Sequence, residues 1–200
     1  KDYGNDGETD TVKFGEGIKL KDLVVTRSGR DAVDMIISVK GTSDKLIVLD
    51  AYYAWANRRI EKFAFADGTV LSFEEFQQQT YFQGTQGNDE TLGSVGDDKI
   101  YGQDGSDKLY GNNGNDTLYG GAGKDDLQGG NGDDILYGGE DDDNLGGGDG
   151  VDTLYGGAGN DYMDGGTGGD TYVFNRGDGV DTIKDYGNDG ETDTVKFGEG

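Results

Sequence analysis

Aspartates recur every nine residues through the middle of this 200-residue chain. Carboxylates are hard oxygen ligands, and a loose cage of several oxygens suits calcium better than magnesium, which requires a tight octahedron. The chain has no Cys and no His, which excludes thiolate sites, ordinary zinc sites and imidazole bases. The ten aspartates of the series are Asp89, Asp98, Asp107, Asp116, Asp125, Asp134, Asp143, Asp152, Asp161 and Asp170.

These aspartates occupy the sixth position of a nine-residue unit, or nonad, that repeats ten times from Gly84 to Val173. The first position is always Gly, the fourth is Gly except at Asp141, and the eighth is apolar or aromatic except at Thr91. Glycines let the first six residues turn tightly, and the last three alternate as a short strand does. Two nonads form one coil, so the period predicts an all-β chain containing a parallel β-roll solenoid of about five coils.

Stacking the coils brings aspartates that are two nonads apart in sequence close together on each side of the roll. One aspartate in a turn often caps its own backbone, but stacked like charges repel unless a cation neutralises them. Five turns on each side leave four gaps, which gives up to eight calcium sites. Eight such ions would change the formal charge of −24 to about −8.

The nonad, for example GGNGDDILY at 129–137, resembles the GGxGxDxUx repeat of the RTX family of haemolysin-type calcium-binding proteins. The resemblance implies a parallel β-roll in which sixth-position carboxylates and turn carbonyls hold calcium between turns on the same side. Lys124, Val151 and Gly169 cannot supply a carboxylate at the fifth position, and Asp141 stands in place of Gly, so we expect fewer than eight well-occupied sites. The fifth-position side chains expected to assist are Asn88, Asp97, Asn115, Asp133, Asp142 and Asn160.

Three segments follow from the repeat and from a duplication. Residues 84–183 hold the nonads and all but the last residue of a restated unit, RGDGVDTIK at 176–184, and carry 22 acidic against 4 basic residues. Residues 184–200 are identical to residues 1–17. We therefore expect an excerpt from a tandem array, in which 184–200 begins a second copy of the 1–83 domain and residue 1 is not a natural N-terminus.

Residues 1–83 show β-strand patterns. We expect strands at Leu23–Val25, Met35–Val39 and Leu46–Leu49, hairpin loops at Ser28–Asp31 and Asp67–Gly68, and a helical turn at Phe73–Phe76. Because Asp10-Thr11-Val12 resembles Asp181-Thr182-Ile183, the sheet is expected to run on from the roll. The segment resembles the haemolysin-type calcium-binding-related domain, which implies a flanking β-rich domain.

Four tyrosines share the outward ninth position on one side of the roll. We call them the tyrosine face: Tyr101, Tyr119, Tyr137 and Tyr155. One interpretation is that stacked Tyr simply stabilises neighbouring strands. The other is an interaction face that docks the flanking domain or the next tandem repeat.

Composition also excludes several function classes. The strong negative charge disfavours nucleic acid as a partner, and no apolar run approaches the length needed to span a membrane. No carboxylate pair has the isolated apolar setting of a glycosidase dyad, and no dinucleotide or P-loop context is present. We therefore expect no enzyme activity.

The resemblance implies a calcium-binding folding and structural module of a large secreted bacterial RTX protein or adhesin. Such proteins leave by type I secretion and fold on extracellular calcium, so the expected location is extracellular or at the bacterial cell surface. The expected partners are calcium and neighbouring tandem repeats. Two alternatives stay open: an accessory C-terminal module of a toxin or hydrolase, and a module that binds a cell-surface ligand through Tyr52–Trp55.

Overall fold

The computed structural model describes residues 9–28, 34–48, 60–73, 75–76, 82–184 and 190–198. The chain forms two compact units, Lys1–Tyr81 and Phe82–Gly200. Residues Tyr52–Trp55 lie outside the described residues. Among the described residues, no helix has the length and apolar character needed to cross a bilayer.

The strands of the first unit form two groups. Strands β1 and β5 are parallel, β5 and β6 form an antiparallel hairpin, and β2, β3 and β4 form an antiparallel meander. A 3₁₀ turn at Leu20–Asp22 precedes β2. The strands are β1 (Thr11–Lys13), β2 (Leu23–Ser28), β3 (Asp34–Val39), β4 (Lys45–Val48), β5 (Lys62–Ala64) and β6 (Val70–Ser72).

The three strands expected in this unit are confirmed as β2, β3 and β4, although Leu49 lies outside the described residues. The expected turn at Asp67–Gly68 joins β5 to β6, and Gly68 has a φ of 93° that glycine adopts without strain. The predicted helical turn begins at Phe73, where Ser72 and Glu75 form a reciprocal capping box. The loop residues 29–31 lie outside the described part.

The second unit is a parallel β-solenoid of about six turns, which confirms the β-roll and adds roughly one turn to the five expected. Odd-numbered strands from β7 to β19 lie in one sheet and even-numbered strands from β8 to β18 form the other, with strands two nonads apart paired in register along the repeat. The strands are β7 (Phe82–Gln83), β8 (Glu90–Leu92), β9 (Lys99–Asp104), β10 (Lys108–Asn113), β11 (Thr117–Ala122), β12 (Asp126–Asn131), β13 (Ile135–Glu140), β14 (Asn144–Asp149), β15 (Thr153–Ala158), β16 (Tyr162–Thr167), β17 (Thr171–Phe174), β18 (Thr182–Ile183) and β19 (Thr194–Phe197).

Eighth-position side chains fill the interior of the roll, as the alternation predicted. Leu118, Leu136 and Leu154 follow one another on adjacent odd strands and are fully buried. Leu109, Leu127 and Leu145 do the same on the even strands. Neither sheet can bury its inner face alone. The core forms because the inner faces of the two sheets pack against each other.

The strands are longer than the three residues expected. A typical strand covers positions seven to nine and the first three positions of the next nonad, so the tight turn is confined to positions four to six. The first-position glycine continues the strand and is buried, as at Gly129. Positive φ occurs instead at the second and fourth positions, as at Gly130 and Gly132.

Asp141 keeps the turn that its substitution for Gly made doubtful. Its φ is 76°, in the left-handed region that Asp tolerates better than most residues. The neighbouring coil still pairs normally, because the Gly123 amide donates to the Glu140 carbonyl at 3.1 Å. The roll therefore passes through this unit without interruption.

Candidate metal centre

The sixth-position aspartates form two ladders inside the turns, one on each side of the roll. In each rung, one carboxylate oxygen, Oδ1, accepts a hydrogen bond from the backbone amide of the aspartate one coil earlier. Asp116 Oδ1 accepts from the Asp98 amide at 2.7 Å, and Asp134 Oδ1 accepts from the Asp116 amide at 2.7 Å. The same bond joins Asp89 to Asp107, Asp107 to Asp125, Asp125 to Asp143, Asp134 to Asp152, Asp143 to Asp161 and Asp152 to Asp170.

Two further aspartates continue these ladders beyond the ten predicted positions. Asp181 Oδ1 accepts from the Asp161 amide at 3.1 Å, and Asp193 Oδ1 accepts from the Asp170 amide at 3.0 Å. Asp181 lies in the restated unit at 176–184, so the sequence already contained its signal. Asp193 lies in the duplicated segment, where no nonad pattern marks it.

The second carboxylate oxygen of most rungs is buried without a hydrogen bond. A buried unpaired oxygen costs about 1–3 kcal/mol, and a charged one costs more. A series of them in one structure calls for an explanation by a ligand. The Oδ2 atoms in this state belong to Asp107, Asp116, Asp125, Asp134, Asp143, Asp152, Asp161 and Asp181.

The first rung on each side differs because the backbone amide at the second position of those nonads donates to Oδ2. Asp89 Oδ2 accepts from the Thr85 amide at 2.6 Å and from Thr85 Oγ1 at 2.9 Å. Asp98 Oδ2 accepts from the Ser94 amide. The Oδ2 atoms of Asp89 and Asp98 therefore differ from those of later rungs, although both residues were predicted as ligands of the same kind.

Burial shifts the ionisation of the inner rungs. Burial raises the pKa of Asp116 to about 7; the Asp98 amide opposes the shift, and the charge of Asp134 adds to it. Burial likewise raises the pKa of Asp143 to about 8 and that of Asp152 to about 7. It also raises the pKa values of Asp107, Asp125, Asp134, Asp161 and Asp181, to about 6 for Asp125 and Asp134. A cation bound beside these carboxylates would stabilise their ionised form and oppose the upward shift of their pKa values.

First-position glycines leave room where these oxygens converge. A Cβ added at Gly129 would lie less than 3.0 Å from both Asp134 Oδ2 and the carbonyl oxygen of Gly147. The same relation holds at Gly120, with Asp125 Oδ2 and the Gly138 carbonyl. Each such point combines a carboxylate of one nonad with a backbone carbonyl of the next coil.

The donor set consists of oxygen atoms alone and fits calcium. Within the described ranges, three or more acidic side chains do not converge on a single point. A calcium ion here would therefore take its remaining ligands from turn carbonyls. The charge of the ion would neutralise the Oδ2 atoms that lack hydrogen bonds.

Fifth-position side chains form a second ladder with the opposite direction. Asp97 Oδ1 accepts from the Asn115 amide at 2.8 Å, and Asp133 Oδ1 accepts from the Val151 amide at 2.9 Å, in each case one coil later. Asn88, Asn115 and Asp142 make the same bond. These side chains join the turns of adjacent coils, and their assistance to calcium stays a prediction.

Lys124 stands at one fifth position that cannot supply an acidic oxygen. Its Nζ lies 2.6 Å from Asp142 Oδ2 in the next coil. This hydrogen bond, together with one from Asn160, lowers the pKa of Asp142 to about 2. Lys124 therefore neutralises an exposed carboxylate at the outer edge of the turn.

The tyrosine face is a continuous stack. Ring centroids are 4.6 Å apart for Tyr101 and Tyr119, 4.8 Å for Tyr119 and Tyr137, and 4.6 Å for Tyr137 and Tyr155, with nearly parallel planes. Lys99 Nζ lies 5.5 Å from the Tyr119 ring centroid, within cation–π range. This geometry is compatible with strand stabilisation, and the role of the tyrosine face as an interaction face stays a prediction.

Comparison with known families gives two matches. The RTX calcium-binding nonapeptide repeat, in a four-copy form, matches residues 83–118, 110–145, 119–154, 137–172 and 146–183, which together span just over half of the chain. The haemolysin-type calcium-binding protein related domain matches residues 34–75. No curated protein matches the chain. The matches coincide with the aspartate ladders and with the β-rich first unit, and the chain belongs to the RTX family of haemolysin-type calcium-binding repeat proteins.

Proposed function

We propose that this chain is a structural and folding module of a large secreted RTX protein or adhesin, and that extracellular calcium drives its folding. The observation that carries the proposal is the row of eight buried Oδ2 atoms without hydrogen bonds in the part of the chain described. These atoms disfavour the folded roll when no cation is present. Calcium would reverse this preference, and binding free energy would then become folding free energy.

The extracellular location of the protein follows from the calcium affinity expected of such a site. Extracellular modules bind calcium at about 10⁻⁴–10⁻³ M, far above cytosolic levels. A module with this affinity stays unfolded inside the cell and folds outside it, which agrees with secretion as an extended chain by a type I system. RTX repeats are typical of secreted bacterial proteins, which supports an extracellular or cell-surface location.

The tandem duplication favours a structural role over the alternatives. Residues 184–200 repeat residues 1–17 without a change, and copying suits a spacer more than an accessory module of a toxin or hydrolase. The β-roll is a structural calcium-binding fold, and we infer that the module is not catalytic. A surface ligand site at Tyr52–Trp55 would be supported by glycan binding that Trp55→Ala abolishes.

A calcium titration followed by far-UV circular dichroism tests the proposal, with magnesium as the control ion. We expect a cooperative gain of β signal with calcium alone, reversed by chelator. Asp134→Asn should raise the calcium concentration at the midpoint, whereas Asp104→Asn, an equal charge change at an exposed position, should leave it nearly unchanged. A chain already fully folded in chelator would contradict calcium-driven folding.

A further inference from the structure

The same five-residue sequence, DTVKF, forms an edge strand in both units. Residues 10–14 include β1, which pairs in parallel with β5 in the first unit. Residues 193–197 include β19, which pairs in parallel with β17 at the end of the roll. Within the part of the chain that the structure describes, both copies lie at the end of their sheet order. Each copy therefore uses one edge for pairing.

The first copy pairs through its even-numbered residues. In the first unit the Phe14 amide donates to the Ala64 carbonyl at 2.8 Å, and the Asp10 carbonyl accepts from the Lys62 amide at 3.1 Å. Residues 10, 12 and 14 thus direct their backbone groups toward β5, because amide direction alternates along a strand.

The second copy pairs through the opposite edge. At the end of the roll, the Thr194 amide donates to the Asp170 carbonyl at 2.8 Å and the Gly198 amide donates to the Phe174 carbonyl at 3.0 Å. Residues 194, 196 and 198 therefore face β17, and they correspond to residues 11, 13 and 15 of the first copy. The strand edge through which β19 pairs with β17 is thus the opposite of the edge through which β1 pairs with β5.

We propose that one DTVKF strand serves both sheets in a tandem array, closing the roll on one edge and opening the next β-domain on the other. The edge of β19 that faces away from β17 is then a docking surface for the β5–β6 hairpin of a second copy of this chain. This inference rests on the tandem arrangement of the proposed function and does not depend on the calcium sites.

The core supports the shared strand. Val195 is paired with Tyr172 in the roll, while its counterpart Val12 is paired with Phe63 in the first unit, and Phe63 with Leu71. Joining these registers extends the interior row of the roll from Tyr172 through Val195 to the phenylalanine and leucine of the next copy. The row is apolar or aromatic at each step, so the two cores would merge.

The exposure of two apolar side chains of β19 supports the same partner, the β5–β6 hairpin of another copy of the chain. Phe197 is 78% exposed and Val195 is 46% exposed. The counterpart of Phe197 is half-buried, since Phe14 stacks on Phe65 with ring centroids 4.8 Å apart. The β5–β6 hairpin of a second copy would give Phe197 the neighbours that Phe14 already has.

Thiol labelling of a two-copy chain, residues 1–183 followed by residues 1–200, tests the inference. The natural sequence has no Cys, so Phe197→Cys introduces a single thiol into the 200-residue chain, and the same substitution is made at the junction of the two-copy chain. We expect the junction thiol to react about tenfold or more slowly than the Phe197→Cys thiol of the single copy, because stable pairing limits exposure to local opening. It should also react more slowly than a Phe14→Cys thiol of the single copy, which is the matched control for burial beside β5 alone. Equal rates in the two chains would overturn the proposal.

Proline substitutions supply an independent test on the strand edges. The Val195 amide faces away from β17 and the Lys196 amide faces β17, so proline removes one edge at a time. Val195→Pro should lower the thermal midpoint only in the two-copy chain, whereas Lys196→Pro should lower it in both. An unchanged two-copy chain carrying Val195→Pro would contradict the shared strand.

Circular dichroism of the same samples in calcium and in chelator reports separately on calcium-driven folding. If calcium fails to change either chain, the calcium proposal fails, and the labelling and proline results still decide the shared strand.

Discussion

Asp134 bonds through Oδ1 to the backbone amide of Asp116 at 2.7 Å, one coil earlier, while its Oδ2 is buried without a hydrogen bond. Oδ1 therefore joins adjacent coils, and Oδ2 is available to bind a cation. The two functions of one carboxylate make the effects of calcium, acid and substitution separable.

Asp134→Asn should have opposite effects with and without calcium. In chelator the variant should show a β signal equal to or above that of the natural chain, because a buried charge has been removed. In saturating calcium it should lose about 1–3 kcal/mol of unfolding free energy, since a charged ligand is gone. Far-UV circular dichroism in chelator and urea unfolding in calcium measure the two effects, and an unchanged free energy of unfolding in saturating calcium would contradict the assignment of Oδ2.

Acid should substitute for calcium. The pKa values of Asp116 and Asp152 are about 7 and that of Asp143 is about 8 in the folded roll, against an unfolded value of about 3.9. Protons therefore bind the folded state more tightly, and stability that is fully present below about pH 4 is lost as the pH rises through 6 to 8.

Far-UV circular dichroism in chelator between pH 5 and pH 9 measures this dependence. We expect the β signal to fall as the pH rises, with each such group lowering the free energy of unfolding by up to about 1.4 kcal/mol per pH unit. In saturating calcium the trend should flatten or reverse, because calcium competes with protons for the same oxygens. A chelated chain that gains stability between pH 5 and pH 9 would contradict the burial of these carboxylates.

Leu136→Ala should remove a central part of the roll interior. Leu136 is fully buried between Leu118 and Leu154 of the adjacent odd strands, so we expect a loss of about 2–5 kcal/mol. The neighbouring Ile135 points outward and is 37% exposed, which makes Ile135→Ala the matched control, with a loss well below that value. Urea unfolding in calcium checks the pair, and equal losses would indicate that the inward and outward positions are exchanged.

Substituting Tyr119 and Tyr137 by Ser should destabilise the roll by about 0.5–1.5 kcal/mol for each stacked pair that is lost. If the tyrosine face also docks a neighbouring repeat, the double variant should destabilise a two-copy chain by more than this amount, because the association between the repeats is weakened as well. Thermal unfolding of the single-copy and two-copy chains measures the two effects. Unchanged stability and unchanged association would contradict the prediction of an interaction face.

The repeat itself predicted the roll because period and register are properties of the sequence. Aspartates at intervals of nine, and an apolar or aromatic residue two places after all but the first of them, such as Leu136 after Asp134, determine which residues stack and which face inward. The turn at Gly68 and the helical turn at Phe73 were likewise visible as local patterns in the first unit.

Other features depend on where individual atoms point, which a repeat does not specify. The period could not show that Asp134 directs one oxygen to a backbone amide and the other inward. It also could not show that Thr85 and Ser94 occupy the corresponding oxygens of the first rungs. Asp193 was missed because it lies 23 residues after its partner Asp170, in a segment without the nonad pattern.

The alternation of strands between two sheets sets the step in which this molecule can change length. The DTVKF segment at 193–197 contains β19, which pairs with β17 in the sheet of odd-numbered strands. Adding or deleting two nonads would keep β19 in this sheet. Adding or deleting one nonad would deliver the closing strand to the opposite sheet and away from its partner. Natural size variants of such arrays are therefore expected to differ by even numbers of nonads, because only whole coils keep the closing strand in the same sheet.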